Sequence, residues 1–231
     1  MGGGGNSNTI TQTSNPLTQK WHTTKEQKTG GFIGVETGLG IASSGALLSE
    51  HKAYVVAPIN AIGGYQFYFF DKPYFHLGFR FRVNLGYTNY SASVNSNGIL
   101  ITKNIHNIQL GTEAQFLWDF LNKGNHTLGV HFSTGGFEVG THFVSTTTSG
   151  MGVYSTTKAD AVTDFVLMLS TGIHWYVKVN HQFFATYKHR LPLVTIYYDG
   201  KPPTYSNSPS YAPYALVSMR HNFMVGYSYK F

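Results

Sequence analysis

From Gly31 onward, apolar residues recur at every second position through long stretches of the chain, with small or polar residues between them. Successive side chains of a β-strand point to opposite faces, so this alternation predicts strands with one apolar and one polar face. The segment at 75–88 shows it most cleanly. Phe75, Leu77, Phe79, Phe81, Val83, Leu85 and Tyr87 share one face; His76, Gly78, Arg80, Arg82, Asn84, Gly86 and Thr88 share the other. A slip of one residue would exchange the two faces, so the pattern fixes the strand's orientation. The same reading predicts strand one through Ile33, Val35, Leu39 and Ile41, strand two through Ile59, Ala61, Tyr65, Phe67 and Phe69, and strand four through Ile108, Leu110, Ala114, Phe116, Trp118 and Phe120. Strand five runs through Leu128, Val130 and Phe132, then changes phase at Gly135-Gly136 to Phe137, Val139 and Phe143, which predicts a β-bulge at the glycine pair. Strands six and seven follow at Phe165–Val177 and Phe183–Leu193, and the eighth, at Val217–Phe231, ends the chain.

The connections alternate in length. Turns at Asp71-Lys72-Pro73, Asn122–Asn125 and Val179–His181 are tight, whereas about residues 42–53, 89–105, 145–161 and 199–212 are longer and rich in Ser, Thr, Asn, Gly or Pro. Short turns at one end and long loops at the other predict an all-β, eight-stranded, antiparallel up-and-down transmembrane barrel. An even strand count places the lead-in and Phe231 together on the short-turn, periplasmic side. Residues 31–231 form the barrel in this reading. Residues 1–30 form a polar lead-in without a sustained period, in which Trp21 either enters the bore or hangs free. Met1–Gly5 reads as an added start joined to a processed chain.

Composition decides which face meets lipid. The chain of 231 residues has 42% hydrophobic but only 11% charged residues, with 17 Phe, 16 Tyr and 26 Gly. No run approaches the roughly 20 continuous apolar residues of a membrane helix. The bore of an eight-stranded barrel is just wide enough for side chains and cannot hold eight faces of stacked Phe, Leu, Trp and Tyr. The apolar faces are therefore expected outside, and the Gly-rich polar faces inside. An aromatic girdle is expected near the short-turn end at Phe69, Trp118, Phe120 and Trp175, with Phe75, Phe183 and the last tyrosines nearby. The interior face collects Glu36, Arg80, Arg82, Glu113, Lys188, Arg190 and Arg220, with Glu138 a further candidate. These charges cannot face hydrocarbon cheaply, and as a paired network they fill the lumen.

The final run, Arg220-His-Asn-Phe-Met-Val-Gly-Tyr-Ser-Tyr-Lys-Phe231, places Phe223, Val225, Tyr227, Tyr229 and Phe231 at alternate positions up to an aromatic carboxyl terminus. It resembles the C-terminal signal by which the barrel-assembly machinery takes up outer-membrane substrates. It is also similar to the ending of the Helicobacter outer membrane protein family, whose larger members include adhesins and porins. The long adhesive insertions of those members have no counterpart here. The resemblance implies an integral outer-membrane protein in contact with outer-membrane lipid and lipopolysaccharide.

His131-Phe132-Ser133 resembles the His-x-Ser of outer-membrane lipid A deacylases, with Glu138 as the candidate acid. Its inward parity near a periplasmic turn keeps it from lipid in the outer leaflet. The 11 histidines show no ligand spacing, the chain has no Cys, and no metal or other cofactor is expected. A net charge of +6 spread through the chain forms no basic tract for nucleic acid. Three function classes follow: a non-enzymatic barrel with a structural or surface-interaction role, adhesion included, through four extracellular loops; a narrow or gated pore; and lipid A modification. Residues 145–161 and 199–212 offer Ser, Thr, Tyr and Pro for an extracellular or host-surface ligand.

Overall fold

Alternation is realised as one antiparallel sheet that closes on itself. The computed structural model describes residues 25–43, 53–72, 75–96, 98–150, 152–197 and 219–231. After a single helical turn, α1 (Lys25–Lys28), come β1 (Gly30–Ser43), β2 (Ala53–Val56), β3 (Ile59–Lys72), β4 (Phe75–Ser96), β5 (Ile99–Lys123), β6 (His126–Gly150), β7 (Val153–Val177), β8 (His181–Tyr197) and β9 (Met219–Lys230). Consecutive strands pair from β3 to β9, and β1 pairs with both β3 and β9. The seam runs from Phe32 opposite Lys230 to Ala42 opposite Met219. The wall thus has no free edge through the membrane-spanning part, as a sheet in lipid requires.

Nine strand segments occupy eight wall positions because β2 and β3 lie end to end against β1. Gly40–Ser43 pairs with β2, and Gly30–Thr37 pairs with β3. Pro58 separates them, since it has no N–H for the ladder. Its carbonyl instead accepts from the Gly38 N–H at 3.3 Å and the Thr37 hydroxyl at 3.0 Å. The expected bulge at Gly135-Gly136 is present, with register shifts on both sides of that stretch.

Two of the expected long loops are not loops. β5, β6 and β7 each run for 25 residues, against the roughly 9–11 needed to cross a bilayer. Residues 89–105 form the ends of β4 and β5, paired from Asn89–His106 to Ser96–Ile99. Most of 145–161 is likewise strand, paired as far as Gly150–Val153. Among the described residues, 88–96 of β4 have no β3 partner, though β2 lies beside their start with the Tyr54 and Tyr90 rings 6.4 Å apart, and 153–161 of β7 have no β8 partner. Four strands therefore continue past the β3–β4 and β7–β8 ladders as a fin, roughly 30 Å long at 3.3 Å per residue, with Ala92 and Ile105 buried on its inner face. Of the expected loop at 42–53, residues 42–43 end β1 and Ala53 begins β2, while 44–52, the expected loop at 199–212 and Val217 fall outside the described residues.

At the opposite end the connections are tight. Lys178 and Val179 both adopt positive φ, 53° and 66°, a conformation unfavourable for a β-branched residue. Val179→Gly is expected to raise stability by about 0.5–1 kcal/mol, read as a higher urea midpoint for the folded barrel. An unchanged or lower midpoint would mean the turn is not strained.

Candidate functional site

The bore is filled by inward-pointing side chains that are mostly polar, with an apolar cluster of Phe32, Ile62 and Phe184 among them. At the short-turn end Lys28, the last residue of α1, is fully buried. Its ammonium donates to Asp119 Oδ2 at 2.8 Å and lies 2.6 Å from His76 Nδ1. Asp119 Oδ1 also lies 2.6 Å from His174 Nε2 and accepts from the Tyr68 hydroxyl at 3.3 Å. The Lys28 carbonyl accepts from Gln66 at 2.7 Å, and Thr29 Oγ1 accepts from the Tyr68 N–H at 3.1 Å. α1 therefore closes this end as a stopper. Room for the Asp119–His174 contact depends on Gly129, since a Cβ there would lie 2.5 Å from His174 Nε2 and 2.6 Å from Asp119 Oδ1.

Mid-bore, Glu36 is the hub. Arg82 Nη2 donates to its Oε2 at 2.7 Å, Asn60 Nδ2 donates to Oε1 at 2.6 Å, and Lys188 Nζ donates to Oε1 as well. Arg82 stands directly opposite Glu113 in register, with Nε 3.8 Å from Oε2. Glu113 also accepts from the Ser170 hydroxyl. Arg80 reaches across to Gln66 at 3.0 Å and to the Tyr176 hydroxyl at 3.0 Å, and its guanidinium lies 5.2 Å from the Phe32 ring centroid. Higher up, Arg190 Nη2 donates to Glu138 at 2.9 Å and Gln109 at 3.2 Å, and His142 lies 3.0 Å from Asp164. Buried charges are tolerated only when paired and hydrogen-bonded in this way.

Six of the seven expected network residues thus face the bore. Arg220 does not. The β1–β9 register jumps from Ile41–His221 to Ala42–Met219, so Arg220 is the extra residue of a bulge and its side chain is exposed. Asp119 and His174, on the inward parity of their strands, also belong to the network, as does Lys28, which no local pattern marks. Ion pairs joining β1 to both β4 and β8 through Glu36, and β6 to β8 above them, cross the bore at two heights. Planar-bilayer recordings on the purified chain are accordingly expected to stay silent at all voltages. Regular conductance steps would contradict a filled bore.

Outside, the apolar parity is exposed on every strand: Val35, Phe81, Leu110, Phe137, Ile173 and Phe223 all face away from the bore. Phe69, Trp118, Phe120 and Trp175 are outward and about half exposed. They join larger aromatic runs: Phe75–Trp118–Phe120 at 6.0 and 6.3 Å between centroids, and Trp175–Phe183–Tyr227 at 5.9 and 5.3 Å. In the terminal run Phe223, Val225, Tyr229 and Phe231 point outward, Tyr227 is half-buried, and the Phe231 N–H donates to the Gly31 carbonyl at 2.9 Å.

The His-x-Ser stretch is not assembled as a triad. His131 Nε2 is 3.0 Å from the Thr186 hydroxyl, Glu138 is taken by Arg190, and Ser133 lies in the bulge, accepting from the Gly135 N–H at 3.2 Å. Among the described residues no group of three metal-ligating side chains comes together.

An apolar belt around a closed cylinder with an ion-paired interior defines a transmembrane β-barrel. No family model and no curated protein matches the chain. Similar solved structures include Neisserial surface protein A, at 16% identity and TM-score 0.40, covering 87% of this chain and 97% of that one. Ail, the attachment invasion locus protein of Yersinia pestis, in complex with the heparin analogue sucrose octasulfate, is 12% identical with TM-score 0.40, covering 88% and 99%. A major outer membrane protein from Thermus thermophilus is 15% identical with TM-score 0.41, covering 87% and 99%.

Proposed function

We propose that the chain is a non-enzymatic bacterial outer-membrane barrel whose body is an inert scaffold and whose β4–β7 fin contacts an extracellular partner. The observation that carries this is the continuation of four strands past the closed wall. A scaffold alone has no use for about 30 Å of ordered sheet in water, and binding surfaces are characteristically carried on a rigid frame. One face of the fin aligns Ser93, Thr102 and Thr147 in a single row, with Ser91 and Asn104 in the next. Ser91 donates to Asn104 at 2.6 Å, and the Ser93 and Thr102 hydroxyls are 3.0 Å apart. Tyr154 is 76% exposed near the tip. An exposed hydroxyl and amide face with an exposed ring suits glycan or protein contact, in keeping with an adhesive role.

In this reading the short turns and both ends of the barrel lie in the periplasm and the fin outside the cell. The terminal aromatic run is the handle for the barrel-assembly machinery, and the resemblance of that run makes the Helicobacter outer membrane proteins the proposed family. The register allows a clean test, because the hairpins can be shortened at the Tyr90–Ile105 and Val144–Asp160 pairs and closed with Asn-Gly turns. Cells of a non-adherent Gram-negative host displaying the wild type are expected to be retained on immobilised glycans or matrix proteins, and cells displaying the shortened barrel are not. Equal retention of both, with the shortened barrel folded in the membrane, would overturn the proposal.

A further inference from the structure

The lipid-facing wall is not uniformly convex. A groove of about 550 Å³ crosses β1, β9, β8 and β7, within the range of ligand sites. Its upper rim is the outward row Leu39–Phe223–Tyr187–Thr171, its lower rim includes Val225, Ala185 and Ile173, and its floor is the backbone of the row Gly38–Met224–Thr186–Gly172. The depression exists because Ala185 is a short outward residue beside the bulky Phe223 and Ile173.

One outward row above that rim the apolar pattern breaks. His221 and His189 are cross-strand partners with their Nδ1 atoms 3.4 Å apart, and His221 Nδ1 also lies 2.6 Å from the Tyr187 hydroxyl. Tyr187 thus belongs to the groove and to the cluster. The neighbouring bulge turns Arg220 outward, and it has no ion pair among the described residues. Apolar Leu191, Leu193 and Ile41 lie exposed around the cluster. Polar and cationic groups on a membrane face are costly unless something answers them.

We propose that this groove and cluster form one site for a phosphate-bearing lipid of the outer leaflet: an acyl chain lies in the groove and the anionic headgroup is held by Arg220, His221 and His189. The inference rests on the outer-membrane reading and adds a specific lipid site to it. Charge complementarity selects the occupant. A guanidinium and two imidazoles, that of His221 held by the Tyr187 hydroxyl, match a phosphate ester, while the rims match hydrocarbon. The cluster sits near the start of β9, at the end of the wall from which the fin projects, and so on the outer-leaflet side of the groove.

The test is native mass spectrometry of the detergent-folded, full-length chain after incubation with equimolar lipid A, phosphatidylglycerol or phosphatidylcholine. Wild type is expected to retain lipid A most strongly and phosphatidylcholine least. Arg220→Gln with His221→Gln should lower lipid A retention about tenfold and abolish the preference, as loss of charge-assisted bonds implies. Ala185→Phe fills the groove and should reduce retention of all three. The outward face tolerates a larger apolar side chain, and unchanged resistance to urea will show that the variant is folded. Equal retention of lipid A and phosphatidylcholine by wild type, or unaltered lipid A retention in both variants, overturns the site. So does a dimer mass that Ala185→Phe removes, since the occupant would then be a second copy. Failure of the outer-membrane reading itself would appear separately, as failure of the wild type to insert into lipid vesicles.

Discussion

Glu36→Leu is expected to destabilise the folded barrel by about 3–5 kcal/mol. Glu36 is 1% exposed and is the shared acceptor for Arg82 and Lys188. Removing it leaves Lys188 without its carboxylate and Arg82 with only the longer contact to Glu113, and the cost of an unpaired buried charge exceeds the net worth of the pairs that held it. The control is the quadruple variant Glu36→Leu, Arg82→Met, Glu113→Gln, Lys188→Met, which removes every charge from that level. It should recover most of the loss, because a well-packed apolar replacement of an ion cluster is often neutral or stabilising. Urea titration in detergent micelles measures both. A Glu36→Leu midpoint equal to wild type would show that solvent screens the hub and that the bore is open.

Asp119→Ala has the second large effect, and its readout is local. Asp119 is the acceptor shared by Lys28, His174 and Tyr68. Without it the Lys28 ammonium is a buried charge beside two histidines, and α1 has lost its strongest tie to the wall. The stopper is expected to leave the bore. Trypsin should then cleave after Lys28 at least tenfold faster than in wild type, while cleavage elsewhere in the barrel is unchanged. Gly129→Val, which intrudes on the same contacts from β6, should produce the same cleavage. Equal cleavage rates in wild type and Asp119→Ala would mean that the pairing does not hold α1 in place.

Much of this barrel is legible in the alternation of its strands, because lipid outside and a narrow bore inside impose opposite demands on neighbouring residues. Phe81 and Arg82 differ in fate only through that parity. The glycine pair at 135–136 is readable for the same reason, since the phase of the apolar positions changes across it. The fin is beyond this signal. Past the closed wall the outer face of β4–β7 no longer meets lipid, so segments such as Ser145–Ser149 carry no period and look like loop. Arg220 is misplaced by parity because the bulge that turns it outward depends on the register of β1, which β9 does not encode. The stopper is hidden for another reason: Lys28 and Asp119 are 91 positions apart in the chain, and a four-residue helix leaves no periodicity. Sequence pattern reports which face a residue occupies, while the partner it finds there is set by closure of the whole wall.

The central physical claim is that odd-numbered positions of β4 meet lipid and even-numbered ones the bore. The chain contains no Cys, so single cysteines at positions 81–85 can each carry a nitroxide label in lipid vesicles. Accessibility to oxygen, which concentrates in hydrocarbon, should be high at Phe81, Val83 and Leu85 and low at Arg82 and Asn84. The opposite phase, or no period of two, would contradict the account.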